Sequence, residues 1–258
     1  MAAIVIALAN GKGGVGKSTV ALNIQYAIST MRDTDSKPMN LNALLVDADD
    51  QQTSTKTCNA RAKLGGMKVK GVYQPFQPIE HIFKDQDVES YVKMVTERHD
   101  FIVIDTKGAE SDTSREVTTF ANILLIPLSP YGFDKQALAD TLKIVKKGQR
   151  FNPDMLVMVV FNKVDKKATA KNREGREEVN AIINEIFAVN GKTAADNNVF
   201  ICAAELSYKP TFYSEMTKGY NVFEAARGVS LDPKTEYDKL LQEIQTRYAQ
   251  INNAQEAA

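Results

Sequence analysis

Gly11-Lys12-Gly13-Gly14-Val15-Gly16-Lys17-Ser18-Thr19 is the stretch on which the reading of this chain turns. Gly11, Gly16, Lys17 and Ser18 meet the spacing G-x-x-x-x-G-K-[ST]. The run follows an apolar segment, Ala3 to Ala9, and opens a helical pattern near residues 17–31. Glycines let successive backbone N–H groups turn inward around phosphate oxygens, and a helix N-terminus adds positive potential at the same point. In that cradle Lys17 is expected to bridge the β- and γ-phosphates of a nucleotide, and the Ser18 hydroxyl to ligate Mg²⁺.

Working outward, short runs rich in Val, Ile and Leu recur at 3–9, 43–47, 101–105, 122–127 and 155–161. Polar flanks bound each run, as expected for parallel strands covered on both faces. Helical patterns lie between them near 17–31, 53–63, 88–98, 133–148 and 170–189. The alternation predicts an α/β fold with a doubly wound, mostly parallel sheet flanked by helices, its ligand at the carboxyl ends of the strands. Asp33 to Asn42 reads as a polar surface loop. Leu240, Leu241, Ile244, Tyr248 and Ile251 recur at helical spacing and predict a C-terminal helix over 232–251, with 252–258 frayed. The expectation is one domain over 1–258, with no room ahead of the first strand for a DNA-reading domain.

Lys+Arg and Asp+Glu balance at 32 each, so attraction to nucleic acid or anionic lipid must come from a local patch. Cys58 and Cys202 lack a CxxC partner and read as buried, reduced thiols of a cytosolic protein. His81 and His99 are too isolated to suggest a metal site and read as surface or capping residues. No apolar run approaches the roughly 20 residues of a membrane span. A soluble, cytoplasmic protein is expected.

Two further strand ends carry carboxylates. Leu44-Leu45-Val46-Asp47-Ala48-Asp49-Asp50-Gln51-Gln52 ends one strand, and Phe101-Ile102-Val103-Ile104-Asp105 ends another. Acids at such positions beside a phosphate loop suit Mg²⁺ binding through water or the orientation of an attacking water.

The second lysine of the loop makes a resemblance specific. Lys12-Gly13-Gly14-Val15-Gly16-Lys17-Ser18-Thr19 resembles the deviant Walker A motif of the ParA/MinD ATPases. The resemblance implies ATP and Mg²⁺ as ligands, a homodimer formed on ATP binding, and a Lys12 that reaches the partner's phosphates. It makes Gly11 to Thr19 the phosphate-binding residues. Asp47-Ala48-Asp49-Asp50-Gln51 is similar to the family's D-x-D-P-Q switch, implying that Asp47 supports the metal and Asp49 positions the hydrolytic water, with Asp50 where proline is usual. Asp105 takes the Walker B role, a water-mediated Mg²⁺ ligand. Thr106-Lys107-Gly108-Ala109-Glu110 departs from the usual D-T-P-P that follows. Ile126-Pro127-Leu128-Ser129-Pro130 with Asp134 resembles the family's P-x-x-P-x-x-x-D segment.

Asn162-Lys163-Val164-Asp165 fits N-K-x-D, a pattern that reads guanine, yet the family often carries an asparagine beside adenine at this strand end. Asn162 is expected at the base, with ATP favoured and GTP the competitor. Neither cysteine sits where cluster-carrying branches need one, and the tail lacks the basic amphipathic helix of membrane-bound branches. The resemblance is therefore closest to short ParA proteins. It implies non-specific DNA binding at the nucleoid and release by hydrolysis that a ParB-like centromere-binding adaptor stimulates. Candidate DNA contacts are Lys143, Lys146, Lys147, Lys171, Arg173, Arg176, Lys209 and Lys218. Positioning of a non-DNA cargo and a metabolic P-loop ligase or kinase are the rival readings.

Overall fold

A computed structural model describes residues 2–69, 71–108, 111–189, 191–208, 210–225 and 233–256. The chain opens with β1 (Ile4–Leu8), α1 (Lys17–Ser29), β2 (Ala43–Ala48) and α2 (Thr53–Leu64). There follow β3 (Gly66–Val69), β4 (Val72–Pro75), β5 (His81–Phe83), α3 (Val88–Val95), β6 (Phe101–Thr106) and α4 (Asp112–Phe120). The second half holds β7 (Ile123–Leu128), α5 (Lys135–Gly148), β8 (Leu156–Val164), α6 (Thr169–Phe187), β9 (Val199–Ser207), α7 (Pro210–Met216), α8 (Val222–Ala225) and α9 (Pro233–Glu256).

Seven strands form one sheet in the order β5-β2-β6-β1-β7-β8-β9, and every pairing in it is parallel. β2 and β7 are buried at every position, which explains their unbroken apolar character: both of their faces meet helices. On one face, Val5, Ala7, Ile102, Ile104, Leu124 and Val159 pack against α3, α4, α5 and α6. On the other, Ile6, Leu8, Leu45, Val103, Leu125 and Met158 pack against α1, α2, α8 and α9. The alternation of side chains along each strand thus feeds two separate cores.

Local signals fix the helix starts near the site. Asp134 caps α5 by accepting from Ala137 N–H, and Ser111 caps α4 by accepting from Ser114 N–H. The chain passes from β1 through α1 to β2 on one side of the sheet, and later from β6 across β1 to β7 on the other. This is the switch point of a doubly wound sheet, and it opens a crevice at the strands' carboxyl ends.

The fold corrects several expectations. β8 runs on to Val164, so Asn162 and Lys163 lie inside a strand rather than after it. α9 continues through Glu256, so residues 252–256, expected to fray, are helical. α1, α3 and α6 stop short of their expected ends, at Ser29, Val95 and Phe187. Outside the main sheet, β3 and β4 form an antiparallel hairpin that the sequence reading had placed in no element. Among the described residues no helix is long and apolar enough to cross a membrane.

Candidate nucleotide site

Gly11 to Ser18 wrap the carboxyl end of β1 and lead into α1. Gly14 and Gly16 take positive φ angles of 74° and 96°, a conformation that costs other residues energy and that turns the backbone amides inward. At Gly16 space as well as conformation demands glycine: a Cβ there would stand 2.3 Å from Asn162 Nδ2. That amide donates to Val15 O at 2.9 Å, and Lys163 Nζ donates to Gly14 O at 2.6 Å. The end of β8 therefore grips the loop from its outer side. From beneath, Asn10 accepts from Lys12 N–H at 2.8 Å and donates to Pro127 O at 2.8 Å, while Gly11 N–H donates to Thr141 Oγ1.

Lys17 is buried, its ammonium turned into the loop at 3.4 Å from Asn10 O and 3.5 Å from Lys12 O. Burial holds it below the usual lysine range, opposed by the charges of Asp105 and Asp49. A desolvated cation whose hydrogen-bond partners among the described residues are carbonyls is set to bind phosphate. Lys12 is exposed, and its ammonium makes no ion pair with a described residue. A cleft of about 550 Å³ is lined by Gly13, Gly16, Lys17, Ser18, Asp49, Lys163 and Tyr208, among others.

The sheet register places Leu8, Asp47 and Asp105 side by side at adjoining strand ends. Asp105 is fully buried, and burial pushes its carboxyl up to about 7 against the hydrogen bonds of Ser54 and Ser18. Ser54 Oγ donates to Asp105 Oδ2 at 2.7 Å, whereas Oδ1 is buried with no partner among the described residues. A buried carboxylate oxygen without a partner, on a residue that Ser18 neighbours, suits a hard cation such as Mg²⁺, which takes oxygen donors. Asp47 holds the turn that follows it: Oδ1 accepts from Asp49 N–H at 3.2 Å and Oδ2 from Thr55 N–H at 2.7 Å. Asp49 is half-buried at the cleft, and Gln52 closes the turn with φ 52° and a bond to Asp49 O.

A model of the CobQ/CobB/MinD/ParA nucleotide-binding domain matches residues 6–196. The chain belongs to this family. The carboxysome distribution protein A of Halothiobacillus neapolitanus is 25% identical over 165 residues, covering 63% of this chain and 68% of that one. An ATP complex of a McdA variant from Cyanothece superposes with a TM-score of 0.60 at 15% identity, over 93% of this chain and 96% of that chain. The pNOB8 ParA bound to nonspecific DNA gives a TM-score of 0.55 at 16% identity, over 95% of this chain and 99% of that chain. The parallel sheet flanked by helices is thus the MinD/ParA P-loop fold, and structures of this fold bind nucleotide.

Measured against the family pattern, both departures in the switch loops meet each other. Lys107 Nζ and Asp50 Oδ2 lie 2.6 Å apart; the pair raises the lysine and lowers the carboxyl. Ala109 and Glu110 lie outside the described residues. In the N-K-x-D segment, Asp165 Oδ1 accepts from Lys167 N–H at 2.9 Å, as a turn carboxylate does.

The expected DNA contacts are largely occupied. Lys143 pairs with Asp140, Arg173 with Glu177, Arg176 with Glu205, and Lys218 with Glu215. Lys146 donates to Ile186 O. Lys147 and Lys171 are exposed, and Lys209 lies outside the described residues. Cys58 and Cys202 are buried far apart in sequence and unpaired, as expected for core thiols. Burial pushes Cys58 up to about 12 and Cys202 well above its ordinary value. His99 sits at the end of α3 with Nδ1 3.1 Å from Val95 O. Sequence reasoning missed Asn10, Ser54 and Thr141 as supports. Asn10 had one signal, an amide residue immediately ahead of the first loop glycine.

Proposed function

We propose that the chain is a ParA-like ATPase that dimerises on ATP and binds DNA without sequence preference. Hydrolysis, stimulated by a centromere-binding ParB-like adaptor, releases it. One observation carries the reading: beside a buried Lys17 turned into the phosphate loop stands an exposed Lys12 with no charge partner among the described residues. A cradle that keeps one cation inside and offers a second outward suits a triphosphate shared between two protomers.

Little covalent work falls to the protein. Lys17 and the loop amides neutralise charge on the transferring phosphoryl group, Lys12 of the opposite protomer adds to it, and Asp49 orients water in line. Ser18 and Asp105 would hold Mg²⁺, with Asp47 fixing the switch turn. Mg²⁺, when bound, would draw charge off the phosphate oxygens. ATP is favoured over GTP because the loop with Lys12 matches the ATP-binding family more specifically than the four residues Asn162 to Asp165 match a guanine reader.

Lys12→Ala tests the reading. Phosphate release should fall to background while nucleotide still raises the melting temperature. Normal turnover in Lys12→Ala would remove the trans-lysine mechanism. Melting shifts with GTP and none with ATP would reverse the choice of base. The carboxysome distribution relative favours a second reading, the same switch positioning a cargo other than DNA. Retention on DNA that ignores nucleotide state would remove the switch from both readings.

A further inference from the structure

Between Asp50 and Glu80 the sequence holds no acidic residue, while Lys56, Arg61, Lys63, Lys68 and Lys70 all fall there. Arg61 is neutralised by Glu224 at 2.7 Å inside the protein. Lys56, Lys63 and Lys68 are exposed and make no ion pair with a described residue; Lys56 donates to Gln51 O. Lys70 lies outside the described residues. In a chain of balanced charge this is a local positive field, and it differs from α5 and α6, whose cations are largely paired.

Lys56 and Lys63 stand on α2, and Lys68 on the β3–β4 hairpin, which pairs with no strand of the main sheet. Lys68 and Tyr73 are directly opposed across the hairpin, so ammonium and phenol share one face. Tyr73 is 57% exposed and Val72 65%. An isolated two-stranded hairpin is marginal in water, so this one depends on its root. There Gly65 N–H donates to Arg61 O and Phe76 N–H to Gly65 O. The Arg61 guanidinium lies 4.2 Å from the Phe76 ring centre and donates to Gln77 O. Phe76 meets Tyr220 edge-on at 5.5 Å. The base is fixed and the length is uncovered. At its other end α2 is tied to the switch turn through Thr55 N–H and Asp47. A shift of Asp49 to Gln52 with nucleotide would therefore be passed along α2 to the hairpin.

We propose that the C-terminal end of α2 and the β3–β4 hairpin form the nucleic-acid surface of this protein. Lys63 and Lys68 contact phosphate oxygens of a duplex, and Tyr73 lies against the sugar-phosphate chain. The proposal rests on the DNA-binding reading above and names its surface. A lipid surface fits less well, because the exposed side chains of this patch are mainly lysines, with little beyond Val72 and Tyr73 to insert.

The test uses the full chain with ATP and Mg²⁺, retained on a random-sequence duplex across a salt series. Each lost phosphate contact lowers the slope of log affinity against log salt by roughly 0.9. Lys63→Gln/Lys68→Gln should lower it by about 1.8 for each protomer on the duplex, with melting temperature and nucleotide binding unchanged, whereas Lys147→Gln/Lys171→Gln should leave the slope in place. An unaltered slope in the hairpin variant, with wild type still binding, overturns the hairpin and spares the DNA reading. Wild type that retains no duplex in any nucleotide state overturns both. Loss of retention on phosphatidylglycerol vesicles, with duplex binding intact, assigns the patch to lipid and also overturns the proposal.

Discussion

Arg61→Met should be among the most damaging single changes in this protein outside the phosphate loop. Arg61 and Glu224 are only 3% and 6% exposed, and their two hydrogen bonds measure 2.7 and 2.9 Å. Removing the guanidinium leaves the Glu224 carboxylate buried without its countercharge, which costs about 3–5 kcal/mol. It also strips donors from Gln77 O and Gly219 O and the cation from the Phe76 and Tyr26 rings. For a chain of this size each kcal/mol moves the melting temperature by about 2–4 °C, so Arg61→Met should melt about 10 °C early. Circular dichroism melts supply the measurement, and a double-mutant cycle isolates the pair. Arg61→Met/Glu224→Leu should recover most of the loss, because no charge then stays buried. A residual cost of about 1 kcal/mol remains for Asn221 N–H, which loses Glu224 as acceptor. Strict additivity in the double variant, or a melt of Arg61→Met within 2 °C of wild type (roughly one kcal/mol or less), would refute the claim that this pair roots α2 against α8.

Three other outcomes are expected. Asp105→Asn should abolish the stabilisation by nucleotide with Mg²⁺ while raising the melting temperature of the nucleotide-free protein. Because the folded carboxyl is raised to about 7 from 3.8, the folded chain keeps a proton that the unfolded chain releases. Wild-type stability from this group is thus lost as pH rises from about 4 to 7, and the advantage of the variant should widen across that window; an advantage that stays flat with pH would contradict it. Cys58 and Cys202 should resist a thiol reagent at pH 8 in the native protein and react on unfolding in urea, so fast native labelling of either would contradict their burial. Lys107→Ala should speed amide exchange over residues 48–53, and the charge swap Asp50→Lys/Lys107→Asp should slow it again; unchanged exchange in Lys107→Ala would mean the pair holds nothing.

The buried parallel strands were legible because both of their faces are covered, so that Leu44-Leu45-Val46 and Ile123-Leu124-Leu125-Ile126 read as unbroken apolar runs. α4 was not, since Asp112 to Phe120 is mostly polar and buries Val117 among threonines and serines; its one clear mark is the Ser111 cap. β9 lies at the sheet edge with half-exposed residues alternating irregularly, and its pairing with β8 carries register shifts, so it left no periodic trace. At the site, the phosphate loop is local and was fully readable. Its supports are less so: Asn162 was named for the base, not for its bond to Val15 across 147 residues, and Asn10, which bonds across 117 residues to Pro127, was not named at all. Composition likewise marked lysines on α5 and α6 as cations without revealing that several are already neutralised.

The same limit explains the switch loops, where two separate oddities turn out to be one feature. Asp50 and Lys107 each stand where the family usually has proline, and alone each suggests a looser loop. The register that sets Ala48 beside Thr106 brings the two positions together just beyond the paired strand ends, and they close as an ion pair. Proline stiffens a loop permanently by narrowing the states of the unfolded chain. An exposed ion pair stiffens it only conditionally, since salt screens it and a nearby phosphate competes for the lysine. The residue next to Asp50 is Asp49, and the residue after Lys107 is Gly108, whose α-carbon faces the Lys17 ammonium. The pair thus ties the two loops to each other beside the phosphate cradle through charge rather than backbone stiffness, and high salt is expected to loosen them, as faster amide exchange over residues 48–53 would show.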